Sequence, residues 1–227
     1  MDIQDFTKVG SEVSSQEVML RKTYNLLAWS FVPCVLGAFA GMVFNPLLLL
    51  DNYWLILGVT FAFFYGMIFL IEKNRYSQKG AVLLMVFTFG MGIMLSPVLQ
   101  YSGMFPNGSK LVALAAAMTA AVFFTMSALA RKAQFNNNEL GKFLSVGAIV
   151  VMVGVVANIF LQLPLLSLTL SGVFVVFSSL MITWQIRNII DGGEDSHISA
   201  ALSIFISIYN LFSSILRLLL AFSGNDD

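Results

Sequence analysis

The chain has 227 residues, of which 58% are hydrophobic and 11% charged, and its mean hydropathy is +0.86. A soluble domain carries roughly a quarter charged residues, so this composition excludes a soluble globular enzyme and points to a protein solvated by lipid. Twelve basic residues balance twelve acidic ones, which leaves no basic surplus for nucleic acid or a polybasic lipid anchor.

The single cysteine, Cys34, follows Pro33 in an apolar run and has no partner for an intramolecular disulfide. One cysteine and one histidine also rule out a zinc or iron–sulfur site of Cys/His type by count. The first 23 residues read as a charged tail. Arg21 and Lys22 then precede an apolar stretch ending near Ala38-Phe39-Ala40, which imitates a cleaved leader. The length of the tail and the charge pattern below make that stretch a retained span instead.

A spanning helix needs roughly 20 mostly apolar residues, because each adds about 1.5 Å across about 30 Å of hydrocarbon. Seven segments meet that requirement: 24–44, 54–71, 81–99, 111–129, 143–161, 168–186 and 198–222. Short connections carry the breakers, at Asn45-Pro46, Phe105-Pro106-Asn107-Gly108, Asn136-Asn137-Asn138, Leu163-Pro164 and Asp191-Gly192-Gly193. Backbone groups in lipid must be satisfied within each segment, so the spans are helices and the fold class is an all-α membrane protein. The chain divides into a tail at 1–23, a transmembrane domain at 24–222 and a short external end at 223–227.

Lysine and arginine set the orientation. Lys8, Arg21, Lys22, Lys73, Arg75, Lys79, Arg131, Lys132, Lys142 and Arg187 fall on one side and Lys110 on the other, ten against one. Basic loops stay cytoplasmic, so the N-terminus is expected inside and Asp226 and Asp227 outside. Tyr53, Trp54, Tyr76 and Tyr101 sit where interfacial aromatic residues belong. Gly37 and Gly41 form a GxxxG pair in the first span, and Ala113, Ala117 and Ala121 repeat that spacing in the fourth. Both patterns are expected to let helix backbones approach within the bundle.

The seventh span carries the most informative pattern. Ser199, Ser203, Ser207, Asn210, Ser214 and Arg217 recur at steps of three and four, which puts them on one helix face opposite Leu, Ile and Phe. A polar stripe is costly against lipid and should face the bundle interior, either as interhelical hydrogen bonding or along an aqueous path. Arg217 is the one Asp, Glu, Lys, Arg or His residue inside any span, near an outer end where it can snorkel toward Asp226 or Asp227. Proton-coupled transporters place carboxylates or histidines in their spans, so a proton relay is not expected. His197 reads as a helix-capping residue, and Asp191-Gly-Gly-Glu194-Asp195 as a solvated turn without EF-hand spacing. No GxSxG elbow is present, and no catalytic, cofactor-binding or metal site emerges.

Three runs are distinctive together: Ala157-Asn-Ile-Phe-Leu-Gln-Leu-Pro164, Asn188-Ile-Ile-Asp-Gly-Gly-Glu194, and Ser207-Ile-Tyr-Asn-Leu-Phe212 with Arg217 following. They resemble the Bax-inhibitor family, in its bacterial YccA-like branch, over nearly the whole chain. The resemblance implies a seven-transmembrane-helix bundle with the last helix central. Some members of that family are calcium leaks gated by pH through paired carboxylates on the sixth and seventh helices. The bacterial branch is linked instead to the membrane AAA protease FtsH, as a substrate that occupies and restrains it. Carried onto this chain, the sixth-helix acid falls on Gln185 and the seventh-helix Asp on Ser207, and neither titrates near neutral pH. The resemblance therefore implies a non-enzymatic inner-membrane regulator of quality control that binds FtsH, with a cation leak lacking the carboxylate gate as the alternative. The polar face to carry either role is Ser203, Ser207, Asn210, Ser214 and Arg217 with Gln185. Ser11, Ser14, Ser15 and Gln16 give the N-terminal tail the composition of a disordered handle.

Overall fold

The computed structural model describes residues 3–44, 52–132 and 136–224, with side chains from residue 15 onward. These form seven helices: α1 Ile3–Val43, α2 Tyr53–Lys73, α3 Gln78–Ser102, α4 Gly108–Lys132, α5 Asn137–Leu161, α6 Pro164–Ile190 and α7 His197–Ser223. All seven are long and apolar enough to cross a membrane, so the chain is an all-α, multi-pass membrane protein. The seven expected segments each fall within one of these helices, apart from Phe44 just past the end of α1. Asn45-Pro46 and the last three residues lie outside the described residues.

One departure is at the start. The backbone is helical from Ile3, where a disordered tail was expected, and α1 runs 41 residues without a break. Pro33 sits inside it. Local chemistry explains several other boundaries. Asn52 caps α2, its side chain accepting from the amides of Trp54 at 2.9 Å and Leu55 at 3.4 Å. Pro164 opens α6 at a position whose missing N–H costs nothing. α5 stops at Gln162, a left-handed residue with φ 48° whose amide reaches the Asn158 carbonyl at 2.8 Å.

The chain forms two compact units, Met1–Pro97 with Asn188–Ser203, and Val98–Arg187 with Ile204–Asp227. In the first, α1 and α3 meet main chain to main chain. A side chain at Gly37 would overlap the Phe89 carbonyl, and one at Gly92 would overlap the Cys34 carbonyl and stand 2.7 Å from the Ala38 amide nitrogen. Gly41 continues the contact: a Cβ there would stand 2.6 Å from Ser96 Oγ and 3.0 Å from Ile93 Cα. The GxxxG pair thus serves packing inside the chain. Ser96 also repairs the backbone next to it. Pro97 lacks the amide that would bond the Ile93 carbonyl, and the Ser96 hydroxyl donates to that carbonyl at 2.7 Å.

In the second unit the buried residues of α4 include Ala115, Thr119, Ser127 and Ala130, while Ala113, Ala117 and Ala121 are exposed. The close packing expected of that alanine stripe is absent. Alanine is apolar enough to face lipid, and the polar Thr119 and Ser127 select the opposite face for burial. α5 presents Phe143, Val146, Ile149, Val150, Val153 and Phe160 outward, as lipid-facing residues should be. α7 is the most buried helix, with half of its most apolar stretch covered against 39% or less in the other six.

Candidate functional site

Each unit holds one polar constellation. The second unit's lies between α6 and α7. Ser207 Oγ donates to Gln185 Oε1 at 3.3 Å, and both residues are buried, at 4% and 7% exposure. These are the two positions that the family resemblance paired. Antiparallel helices in register at 185 and 207 come level again one heptad on, at Ser178 and Ser214, and these too are buried. Gln185 and Ser207 are therefore the hydrogen-bonded pair of the α6–α7 seam, and Ser178 and Ser214 are the buried hydroxyls at the next level of that register. Asn210 is half-buried and Arg217 exposed on the same helix. Ser203, half-buried, belongs to the first unit. Of the six expected residues, Gln185 and Ser207 are in direct contact, Ser214 continues their seam, and Arg217 stands outside it. Asp226 and Asp227, its expected partners, lie outside the described residues.

Neutral hydroxyl and amide groups define what this seam can do. They hold helices in register and can solvate a passing cation through oxygen lone pairs, but they neither donate a proton to solvent nor gain charge near neutral pH. Buried hydroxyls elsewhere on α6 bond within their helix, Ser171 to the Ser167 carbonyl at 3.0 Å and Ser179 to the Val175 carbonyl at 2.7 Å.

The first unit's constellation is charged and lies where the α2–α3 turn meets the α6–α7 connection. α6 ends in a Schellman motif: the Gly193 amide reaches the Asn188 carbonyl at 2.8 Å, the Gly192 amide reaches Ile189 at 3.1 Å, and Gly192 has φ +74°. That turn delivers Glu194 and Asp195 to Arg75, whose Nη2 lies 2.5 Å from Glu194 Oε1 and 2.5 Å from Asp195 Oδ1. Arg75 Nη1 is 3.5 Å from Glu72 Oε2. Its guanidinium carbon lies 5.1 Å from the centre of the Tyr76 ring, and the Tyr76 hydroxyl donates to the Asp195 carboxylate at 3.0 Å. That hydroxyl, and then the Arg75 guanidinium, hold the Asp195 carboxyl below its usual range, while the same bond raises the Tyr76 hydroxyl.

Serines close the arrangement. The Ser196 hydroxyl donates to the Arg75 carbonyl at 2.7 Å and accepts from the Ser199 amide at 3.3 Å, which makes Ser196 the N-cap of α7. His197, expected to cap, is the first residue of the helix instead. The Ser199 hydroxyl donates to the Glu72 carboxylate at 2.6–2.7 Å, so the first residue of the polar stripe belongs to this charged cluster. Glu72, Arg75, Tyr76 and Ser196 were not singled out as site residues from the sequence, and the acidic connection was read as solvated. The available signal was topological. Two turns joined by an even number of spans share a membrane face, so basic residues in one can meet acidic residues in the other. Among the described residues no group of three or more His, Cys, Asp or Glu side chains is arranged to hold a metal ion.

Seven apolar helices, with a neutral polar seam in the second unit, define a multi-pass helical membrane protein. The family model described as inhibitor of apoptosis-promoting Bax1 matches residues 16–224, and the chain belongs to the Bax-inhibitor family. A Neisseria meningitidis serogroup A protein is 56% identical over 227 residues, covering 99% of each chain. The Escherichia coli K12 protein named modulator of FtsH protease YccA is 37% identical over 212 residues, 93% of each chain. An E. coli O6:H1 protein named inner membrane protein YccA matches to the same extent.

Proposed function

We propose that this protein is a non-enzymatic regulator of membrane-protein quality control in a bacterial inner membrane, acting by binding an FtsH-type AAA protease in the plane of the bilayer. The observation that carries the reading is the 37% identity, over 93% of the chain, to a protein named as a modulator of FtsH. In this reading α7 is the core helix of the bundle, the N-terminus is cytoplasmic, and the first residues of α1 are the handle that the protease engages. The ten-to-one basic asymmetry supports that orientation.

The test is affinity purification of the tagged full-length chain from membranes in mild detergent, with and without residues 2–17. The protease should co-purify with the full chain, and the shortened chain should insert normally but turn over more slowly. No co-purification, together with turnover unchanged by protease depletion, would remove this reading. A cation leak is the second reading, and the buried neutral pair Gln185–Ser207 favours it, because uncharged oxygens inside a span are what such a path requires.

A further inference from the structure

We infer that the Arg75 clamp holds the α6–α7 connection as a seat for the base of α1, and so restrains the N-terminal segment that the proposed function treats as the handle. The contact is visible at Gly192. A Cβ built there would stand 3.5 Å from Gln16 Nε2, so the Gln16 amide rests against this bare stretch of the connection. Gln16 is half-buried, Leu20 is 8% exposed and Thr23 fully buried, whereas Glu17 and Val18 between them are exposed. Steps of four and three make Gln16, Leu20 and Thr23 one face of α1. The base of the N-terminal segment therefore lies down on the protein along a defined stripe.

Arg75 is the cation at the centre of the clamp. Arg75 stands among three carboxylates, Glu72, Glu194 and Asp195, two of them from the connection and one from the end of α2. Without the guanidinium, like charges would face each other across the same gap, and repulsion would drive the connection away from the α2–α3 turn. What would remain are the Tyr76 hydroxyl on the Asp195 carboxylate, the Ser196 hydroxyl on the Arg75 carbonyl and the Ser199 hydroxyl on Glu72. In the inferred device the connection has two arrangements, seated with the guanidinium in place and lifted without it. Because Gly192 is fixed at φ +74° by the Schellman turn, the turn moves with Glu194 and Asp195 as one piece. Lifting it uncovers Gln16 and Leu20 together.

The consequence for protease engagement rests on the proposed function, but the device itself does not, and its test contains no AAA protease. The full-length chain with an N-terminal tag is placed in nanodiscs, and cleavage after the exposed Glu17 by a glutamate-specific endopeptidase is followed by mass. Arg75→Gln should be cut severalfold faster than the wild type while keeping a cooperative thermal transition. High salt should speed cleavage of the wild type by screening its ion pairs, and should slow that of Arg75→Gln or leave it unchanged, because only like-charge repulsion remains there to be screened. If Arg75→Gln fails to fold, Asp195→Asn replaces it. The Asp195 side chain is 70% exposed, so this variant loosens the clamp without emptying a core position, and its cleavage should also accelerate. Equal cleavage of folded wild type and variant, or an equal salt response in both, would overturn the inference.

Discussion

In the first unit Gly37 and Gly92 face main-chain atoms of the opposite helix, whereas in the second Gly141, Gly147 and Gly154 face the side chains of Trp184, Phe177 and Leu170. Main chain inside a helix has nowhere to go, while a side chain can change rotamer. The polar groups divide in the same way. The first unit joins its turns by charges at the ends of helices, and the second joins α6 to α7 by neutral groups within its span. Charge is tolerated where water is near and neutrality is required where it is not. The α1–α3 contact of the first unit is thus the more rigidly specified, by main chain that does not yield, and that unit's turns are joined by ion pairs that respond to solvent. The α5–α6 contact of the second is the more adaptable, and its α6–α7 seam carries groups whose charge does not change near neutral pH.

The largest effect should come from Gly92→Leu. Its side chain would enter the Cys34 carbonyl, and neither helix can withdraw without separating α1 from α3. We expect no monodisperse protein in detergent. Gly154→Ala is the counterpart in the second unit, where the new methyl would stand 2.8 Å from Leu170 Cδ2. That leucine tip can rotate, so this variant should fold with a modestly lower melting temperature. Similar stabilities for the two would break the contrast between main-chain and side-chain contacts.

A smaller effect belongs to Asp195. Its carboxyl is held below the usual range by the Tyr76 hydroxyl and the Arg75 guanidinium, so the folded state binds this proton less readily than the unfolded chain. The resulting stabilisation is present above the ordinary carboxylate pKa of about 3.9 and is lost as pH falls through the lower folded value. Asp195→Asn should therefore melt below the wild type at neutral pH, and the two curves should converge in strong acid. A difference that persists there would mean that the ion pair is not what Asp195 contributes.

Seven spans were legible because apolar length is a local property, summed over some 20 neighbouring residues. The helical period likewise placed Ser207 and Ser214 on one face without knowledge of the partner, but it grouped with them Ser199, which joins the charged cluster, and Arg217, which is exposed. The Arg75 clamp was not, because Arg75 and Asp195 are 120 positions apart and no periodicity links residues in different turns. The alanine stripe of α4 was misassigned because small residues permit close packing but do not compel it. Ser196 was passed over for His197 because the choice depended on where helix geometry begins, and a cap is defined by a boundary accurate to one residue. In each failure the missing fact was the identity of a neighbour, which only the fold supplies.

Ser207→Ala should have a small effect, in keeping with a seam built for register. Hydrogen bonds between membrane helices contribute about 0.6 kcal/mol on average, and the Ser207–Gln185 distance of 3.3 Å is long for a strong one. A melting shift far below that expected for Gly154→Ala would place the seam's value in alignment rather than stability. A collapse of the fold would show that the second unit is not adaptable.

The smallest expected change is none at all. Any calcium flux through liposomes containing the purified protein should be flat between pH 6 and 8. A carboxylate pair couples helix position to pH because like charges share or repel a proton, which moves their pKa values apart. Gln185 and Ser207 occupy the corresponding seam and hydrogen-bond to each other, yet an amide and a hydroxyl keep one charge state throughout that range. The clamp adds no switch there either, since Asp195 is pushed further from neutrality. A steep response would place a titrating gate outside the seam, with His197 at the start of α7 the first side chain to replace. Gln185→Asp with Ser207→Asp supplies the converse: two buried acids in contact distance should raise a pKa into the measured window and create pH dependence. A folded double variant with flux still flat would show that the α6–α7 seam does not lie on the ion's path.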